Sequence, residues 1–282
     1  MVAFEDLLPQ VDIATVRSIL EDLNRVTVQC VTGSLREGVL VAYSSGIDSS
    51  ILAELVRQQR GSAKLMTMGR AGSSDVKTTA VDSLATKDGF DLSFGYLTVN
   101  EVQQAATKVA RIVRVDNLSH FEDCVSFWLT ASIGAKNGDG RCIFSANGPD
   151  ELFCGYDRFR RIPDESGYGA VEKEILKALE AAKKLGEQVA LAVSEFGFEI
   201  REPFMNESFR KFALSVPSEY KIHKGNDLLR KRIWRCYGRA LGIPEATVMR
   251  RKKAMQYGTG IHSVVLSMVK KDLIKVKLGN NS

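Results

Sequence analysis

A chain of 282 residues that is 44% hydrophobic and 26% charged has enough apolar mass for a full core, and its composition excludes a disordered or low-complexity protein. Its apolar runs are far shorter than a bilayer span, and Glu5, Asp6 and Asp12 stand where a secretory signal carries basic residues; no membrane span or signal peptide is expected, and the expected setting is cytoplasmic. A formal charge of +5 does not by itself call for a nucleic-acid partner, and the scattered Cys30, Cys124, Cys142, Cys154 and Cys236 read as reduced packing thiols without metal-ligand spacing.

Residues 1–37 form a lead-in expected to be helical. Val39 to Tyr43 is a near-continuous apolar run that ends in a turn, and Ile51 to Val56 behind it has helical spacing, which makes strand, loop and helix. The alternation recurs with a strand from Ala63 to Met68, a helix from Asp75 to Lys87, a strand from Leu92 to Leu97 and a helix through Val102, Ala106, Val109 and Val113. Thr98 with Glu101, and Ser119 with Glu122, fit capping boxes at two helix starts. Arg141 to Ser145 is the next strand, and it breaks into Ala146-Asn147-Gly148-Pro149 before another helix. From about Gly167 onward no strand is expected, and Val171, Ile175, Leu179, Ala182, Val189, Val193 and Phe196 mark a long amphipathic helix. The pattern predicts an α/β fold, a parallel sheet covered by helices on both faces, with a helical C-terminal extension packed on it.

In such a sheet ligands bind beyond the carboxyl ends of the strands, which singles out the loops after Tyr43 and Ser145. The first reads Ser44-Ser45-Gly46-Ile47-Asp48-Ser49-Ser50, small residues at a helix N-terminus that suit a polyphosphate. It lacks the lysine of a Walker loop. Asp48 would repel phosphate unless a divalent cation lay between them, which makes it a candidate Mg²⁺ ligand, although an ordinary capping acid reads the same way. The second loop runs from Ser145 to Tyr156 and offers Asp150 as a partner carboxylate, with the same alternative. Arg230, Lys231, Arg232, Arg235, Arg239, Arg250, Arg251, Lys252 and Lys253 crowd the last quarter, either as a solvated face or as a site for polyphosphate or nucleic acid.

Together these loops resemble the PP-loop ATP pyrophosphatases, whose signature is Ser-Gly-Gly-x-Asp-Ser. Within that adenine nucleotide alpha hydrolase-like group they resemble the asparagine synthetases, with Ser-Gly-Glu-Gly-Ser-Asp-Glu followed by Phe-Gly-Gly-Tyr. Gly197 to Asn206 looks like the family's Glu-x-Arg-x-Pro-Phe-Leu-Asp segment, Leu229-Arg230 like its Leu-Arg pair and Arg250-Arg251-Lys252 like its Arg-x-Lys. The resemblance runs from about Val11 to Ile261. It implies a PP-loop ATP-binding core over residues 38–165 and a C-terminal part, 166–282, that completes the site. It further implies a ligase in which a carboxylate, aspartate in the first instance, attacks the α-phosphorus of ATP, after which ammonia displaces AMP. Asp48 and Asp150 would hold Mg²⁺; Ser44, Ser45, Gly46, Ser49 and Ser145 would line the phosphates; Ala42, Met68 and Ala146 would lie near base and ribose. Lys252 would meet pyrophosphate, or Lys253 if the alignment slips by one.

Three positions depart from the family. Asn147 stands where the family has a glutamate associated with the substrate amine or with proton removal from the nucleophile, and an amide is no general base. Ser45 replaces a glycine and Asn206 the last aspartate of the third segment. Val2 follows Met1 where a glutamine-dependent relative has its nucleophilic cysteine, so no glutaminase domain is expected and ammonia would come from solution or a separate glutaminase chain. Asn147 keeps a different acceptor carboxylate open. A nucleotide-binding subunit and a PP-loop tRNA-modifying enzyme are the remaining alternatives, the last weakened by the absence of paired catalytic cysteines or an aromatic RNA-binding motif.

Overall fold

The computed structural model describes residues 12–71, 86–251 and 258–276, together with Phe4, residues 6–8, Ser73 and Leu84. The first described helix, α1 (Ile13–Ser34), starts at Asp12, whose carboxylate accepts the Thr15 backbone N–H at 2.8 Å. Its buried residues Val16, Leu20, Leu23, Val26 and Cys30 recur every three or four positions and form one apolar stripe.

The strands are β1 (Val39–Ala42), β2 (Ala63–Arg70), β3 (Phe90–Leu97), β4 (Cys142–Phe144) and β5 (Glu199–Arg201), and they form a parallel sheet in the order β3-β2-β1-β4-β5. The α/β class expected from the sequence is the one observed. Successive residues point to opposite faces: Val41, Leu65 and Phe144 join one buried cluster, and Ile143 and Met68 the other. The first cluster takes in α1 and α2 (Ile47–Arg60). The second takes in α3 (Val99–Ile112), α4 (Leu118–Lys136), part of α6 (Tyr168–Ser194) and α9 (Ile261–Lys270). The first cluster also takes in the single turn α5 (Pro149–Leu152), α7 (Glu207–Ser215) and α8 (Arg232–Ala240), through Leu152, Phe209 and Trp234. Gly134 lets α4 lie close on the sheet, because a Cβ there would stand 3.0 Å from Phe198 and 3.3 Å from Leu40.

Three expectations need correction. A strand does occur past Gly167: β5 pairs with β4 in the register Cys142↔Glu199 to Phe144↔Arg201 and forms the sheet edge. Its three residues alternate polar, apolar and polar, too short a pattern to register as a period. The capping box at Thr98 and Glu101 is present, but the one at Ser119 and Glu122 is not. There Asn117 caps the helix by accepting the His120 N–H at 2.8 Å, and Glu122 lies inside it, buried beside His262 at 2.8 Å with its carboxyl pushed up to about 8 by burial. The amphipathic helix ends at Ser194, so Phe196 lies past it and meets Trp128 edge-on. The helix expected from Asp75 to Lys87 lies outside the described residues, apart from Leu84, Thr86 and Lys87.

All five cysteines are buried and free, and burial pushes the thiols of Cys124, Cys142, Cys154 and Cys236 up to about 12, which keeps them protonated. No helix among the described residues is long and apolar enough to cross a membrane.

Candidate active site

The loop after β1 enters α2 through Gly46, with Asp48 in the first turn. Ser49 Oγ accepts the Ser44 backbone N–H at 3.2 Å and donates to the Gly46 carbonyl at 3.1 Å, which closes the loop on itself. Ser45 has φ +56°, a left-handed conformation that costs a serine about 1 kcal/mol or more and a glycine little. Arg250 holds it there, donating to the Ser45 carbonyl at 2.8 Å and to its hydroxyl at 3.0 Å.

The loop after β4 lies beside the first, because β1 and β4 are neighbours with Val41 opposite Phe144. Gly148, at φ +113°, leads into α5, and a Cβ there would stand 2.7 Å from the Phe204 carbonyl oxygen. Asp150 follows in the first turn. Next to it, the Glu151 carboxylate accepts the Tyr156 hydroxyl at 2.5 Å, while burial and the neighbouring Asp150 charge hold its carboxyl above the usual range.

Asp48 and Asp150 meet on one cation. The Lys231 ammonium lies 2.6 Å from Asp48 Oδ2 and 2.7 Å from Asp150 Oδ1, and the lysine side chain is fully buried. Asp48 Oδ1 also accepts the Trp234 indole N–H at 2.9 Å. Trp234 stacks on Phe153 of the second loop at 5.2 Å and meets Phe204 of the third motif edge-on at 5.1 Å, so one aromatic cluster ties the motifs together. Gly155 is obligatory, since any Cβ there would overlap Asp150 Oδ1 and Lys231 Cε.

Lys231 is presented by a turn in which both Arg230 and Lys231 have positive φ, at +56° and +52°. Asp227 holds that turn: it accepts the backbone N–H groups of Leu229 and Arg230 at 3.0 Å and pairs with Arg232 at 2.6 Å. Burial works against its charge, yet these bonds bring the Asp227 carboxyl down to about 2. The buried Arg235 donates to the carbonyls of Leu229 and Arg230 at 2.8 Å and of Arg250 at 3.0 Å, and also to that of Val248. A single guanidinium therefore braces both the Lys231 turn and Arg250, which grips the first loop. Gly238 on α8 lets that helix approach α2, where a Cβ would stand 2.6 Å from Ile47. Of the basic cluster, Arg230, Lys231 and Arg235 are buried, and Arg239 pairs with Asp6 at 2.6 Å.

Of the residues singled out in the sequence, Ala42, Ser44, Ser45, Gly46, Asp48 and Ser49 lie at the end of β1. Ser145, Ala146, Asn147 and Asp150 lie at the end of β4 beside them. Met68 lies near the end of β2, buried, its sulfur accepting the Thr130 hydroxyl at 3.6 Å. Lys252 and Lys253 lie outside the described residues. Two further residues belong to the site without a sequence signal of their own: Lys231 is one of a basic crowd, and Glu202, at a variable position of the third segment, accepts the Asn147 side-chain N–H at 2.7 Å.

Among the described residues no group of three or more His, Cys, Asp or Glu side chains is arranged to hold a metal. The donor set is two carboxylates that already converge on a positive charge. That fits an ion such as Mg²⁺, which takes one or two carboxylates and completes its shell with phosphate oxygens.

The profile of the family described as asparagine synthase matches residues 22–196 and 191–275. A putative glutamine-hydrolyzing asparagine synthetase of Methanocaldococcus jannaschii is 26% identical over 261 residues, covering 82% of this chain and 47% of that protein. The glutamine-hydrolyzing asparagine synthetases of Homo sapiens and Mus musculus are 27% and 28% identical, each match covering 94% of this chain and 47% of the relative. The chain spans about half the length of the curated relatives it matches.

Proposed function

The chain belongs to the asparagine synthase family, and from that premise we propose that it is an ATP-dependent, carbon–nitrogen bond-forming ligase that adenylates a carboxylate and gives an amide, AMP and pyrophosphate. The observation that carries this reading is the convergence of Asp48 and Asp150 from the loops of two adjacent parallel strands. That is where an α/β sheet binds its ligand, and the residues there suit a polyphosphate. Aspartate is the proposed acceptor and ammonia the nucleophile, in a cytoplasmic setting where the free thiols stay reduced.

In this reading the phosphates run along Ser44, Ser45, Gly46, Ser49 and Ser145, with base and ribose toward Ala42, Met68 and Ala146. Asp48 and Asp150 hold Mg²⁺, which when bound neutralises charge developing on the pyrophosphate. Lys231 keeps the two carboxylates together and balances them before ATP arrives. The N-terminal stretch 1–37 and residues 166–282 then serve as lead-in and completion of a core over 38–165, and Lys231 and Trp234 both come from residues 166–282. Lys252 meets the departing pyrophosphate, and Lys252→Ala is expected to leave ATP affinity within a few-fold while lowering turnover by two to three orders of magnitude, about the loss for one charge-stabilising group. Isothermal titration beside a turnover assay separates the two effects, and an unimpaired rate would remove Lys252 from the chemistry.

One observation favours a second acceptor: Asn147 stands where the family has glutamate, so a carboxylate other than aspartate, or a separate glutaminase chain as ammonia source, belongs to the same reading. A tRNA substrate gains no support from Arg232, Arg235, Arg239 and Arg250, whose donors are spent on internal partners. The test is pyrophosphate release from ATP and Mg²⁺ with an ammonium salt, with and without aspartate and then across a panel of carboxylates. Aspartate-dependent release with asparagine formed supports the leading form; dependence on another acid changes only the acceptor; no release with any acid contradicts the ligase reading.

A further inference from the structure

Amide formation needs a group that takes a proton from nitrogen. The carboxylates around the strand ends are nearly all committed. Asp48 and Asp150 share Lys231, and Glu151 is bonded to the Tyr156 hydroxyl. Asn147 is an amide and cannot serve.

Glu202 differs from all of these. It follows β5, and the bond from the Ser145 N–H to the Arg201 carbonyl, 2.9 Å, sets it alongside the loop after β4. Its Oε1 accepts from Asn147 Nδ2 at 2.7 Å. No cation among the described residues pairs with it, and Gly186 leaves it room, since a Cβ there would stand 3.0 Å from Oε2. Burial raises its carboxyl above the usual range and the Asn147 bond offsets only part of that, which brings it nearer the neutral range where a general base works best.

We infer that Glu202 is the acid–base residue of the amide-forming step, carried to the Asn147 position from the neighbouring strand and held there by the Asn147 amide. The inference rests on the ligase reading. The ammonia lone pair forms the C–N bond at the acyl carbon of the adenylate. The C–O bond to phosphate breaks, its electron pair leaving with AMP, and the proton on the new nitrogen passes to the Glu202 carboxylate and then to solvent. Asn147 acts as a positioning residue, presenting two N–H donors where an acid would otherwise stand.

Adenylation and amide formation are measured separately on the full chain, the first by ATP–pyrophosphate exchange with the acceptor acid and the second by amide produced at saturating ammonium across pH. Glu202→Gln, which keeps an oxygen to accept from Asn147, is expected to exchange pyrophosphate within about threefold of wild type. Its amide formation is expected to fall about 10²–10⁴-fold, with the acidic limb of the pH profile lost. The double variant Asn147→Glu with Glu202→Gln returns the carboxylate to the loop and is expected to recover at least tenfold of that loss. Wild-type amide formation and pH profile in Glu202→Gln would overturn the inference, as would equal loss of exchange and amide. Wild-type protein that exchanges with no acid would overturn the ligase reading, and this inference with it.

Discussion

Replacing Asp48 by asparagine is expected to lower magnesium-dependent pyrophosphate release by about a thousandfold or more, equivalent to about 4 kcal/mol at roughly 1.4 kcal/mol per decade. The substitution keeps the shape and an oxygen able to accept from Trp234, whose N–H lies 2.9 Å from Oδ1. It removes the charge that would meet the metal and that now meets Lys231 at 2.6 Å. Asp150→Asn is expected to behave alike, because the two carboxylates act on the same cation. Circular dichroism and nucleotide binding on the same samples separate lost chemistry from lost structure. A folded Asp48→Asn protein with full turnover would remove this carboxylate from the chemistry.

Lys231→Met carries the largest expected effect on stability. Methionine fills much of the same volume but leaves two carboxylates, 13% and 18% exposed, facing each other without a counter-charge. Removing one partner of a buried charge group costs about 3–5 kcal/mol, far more than any surface ion pair here would. Added Mg²⁺ is expected to recover part of the loss, since the vacated space lies between two oxygen ligands suited to it. Urea denaturation with and without millimolar Mg²⁺ reads both effects. An unfolding midpoint equal to that of wild type, insensitive to the ion, would show that Lys231 is not the charge that balances the pair.

The parallel sheet and its two loops were legible because each strand before a loop is a continuous apolar run and each loop is made of small residues; local pattern was sufficient. Lys231 was not legible, although it binds both predicted acids. It stands 183 residues from Asp48 in sequence and owes its placement to two left-handed residues, Arg230 and Lys231, that no turn signature announces. A faint signal existed in Gly155, a glycine that only a close neighbour requires. Glu202 was hidden by the opposite circumstance: it lies within a recognised segment, but at a variable position whose meaning depends on β5 being a strand. Three residues are too few to show that from periodicity. The basic crowd misled for a related reason, since charge density in sequence does not reveal that Arg235 spends its donors on four backbone carbonyls.

In the proposed reaction a carboxylate oxygen attacks the α-phosphorus of ATP. That step is tested most directly by supplying the acceptor acid with ¹⁸O in its reacting carboxylate and following the label by mass spectrometry after turnover with ATP, Mg²⁺ and ammonium. One ¹⁸O atom is expected in the phosphate of AMP and none in pyrophosphate. Label in inorganic phosphate with ADP as co-product, or amide formed with unlabelled AMP, would contradict it.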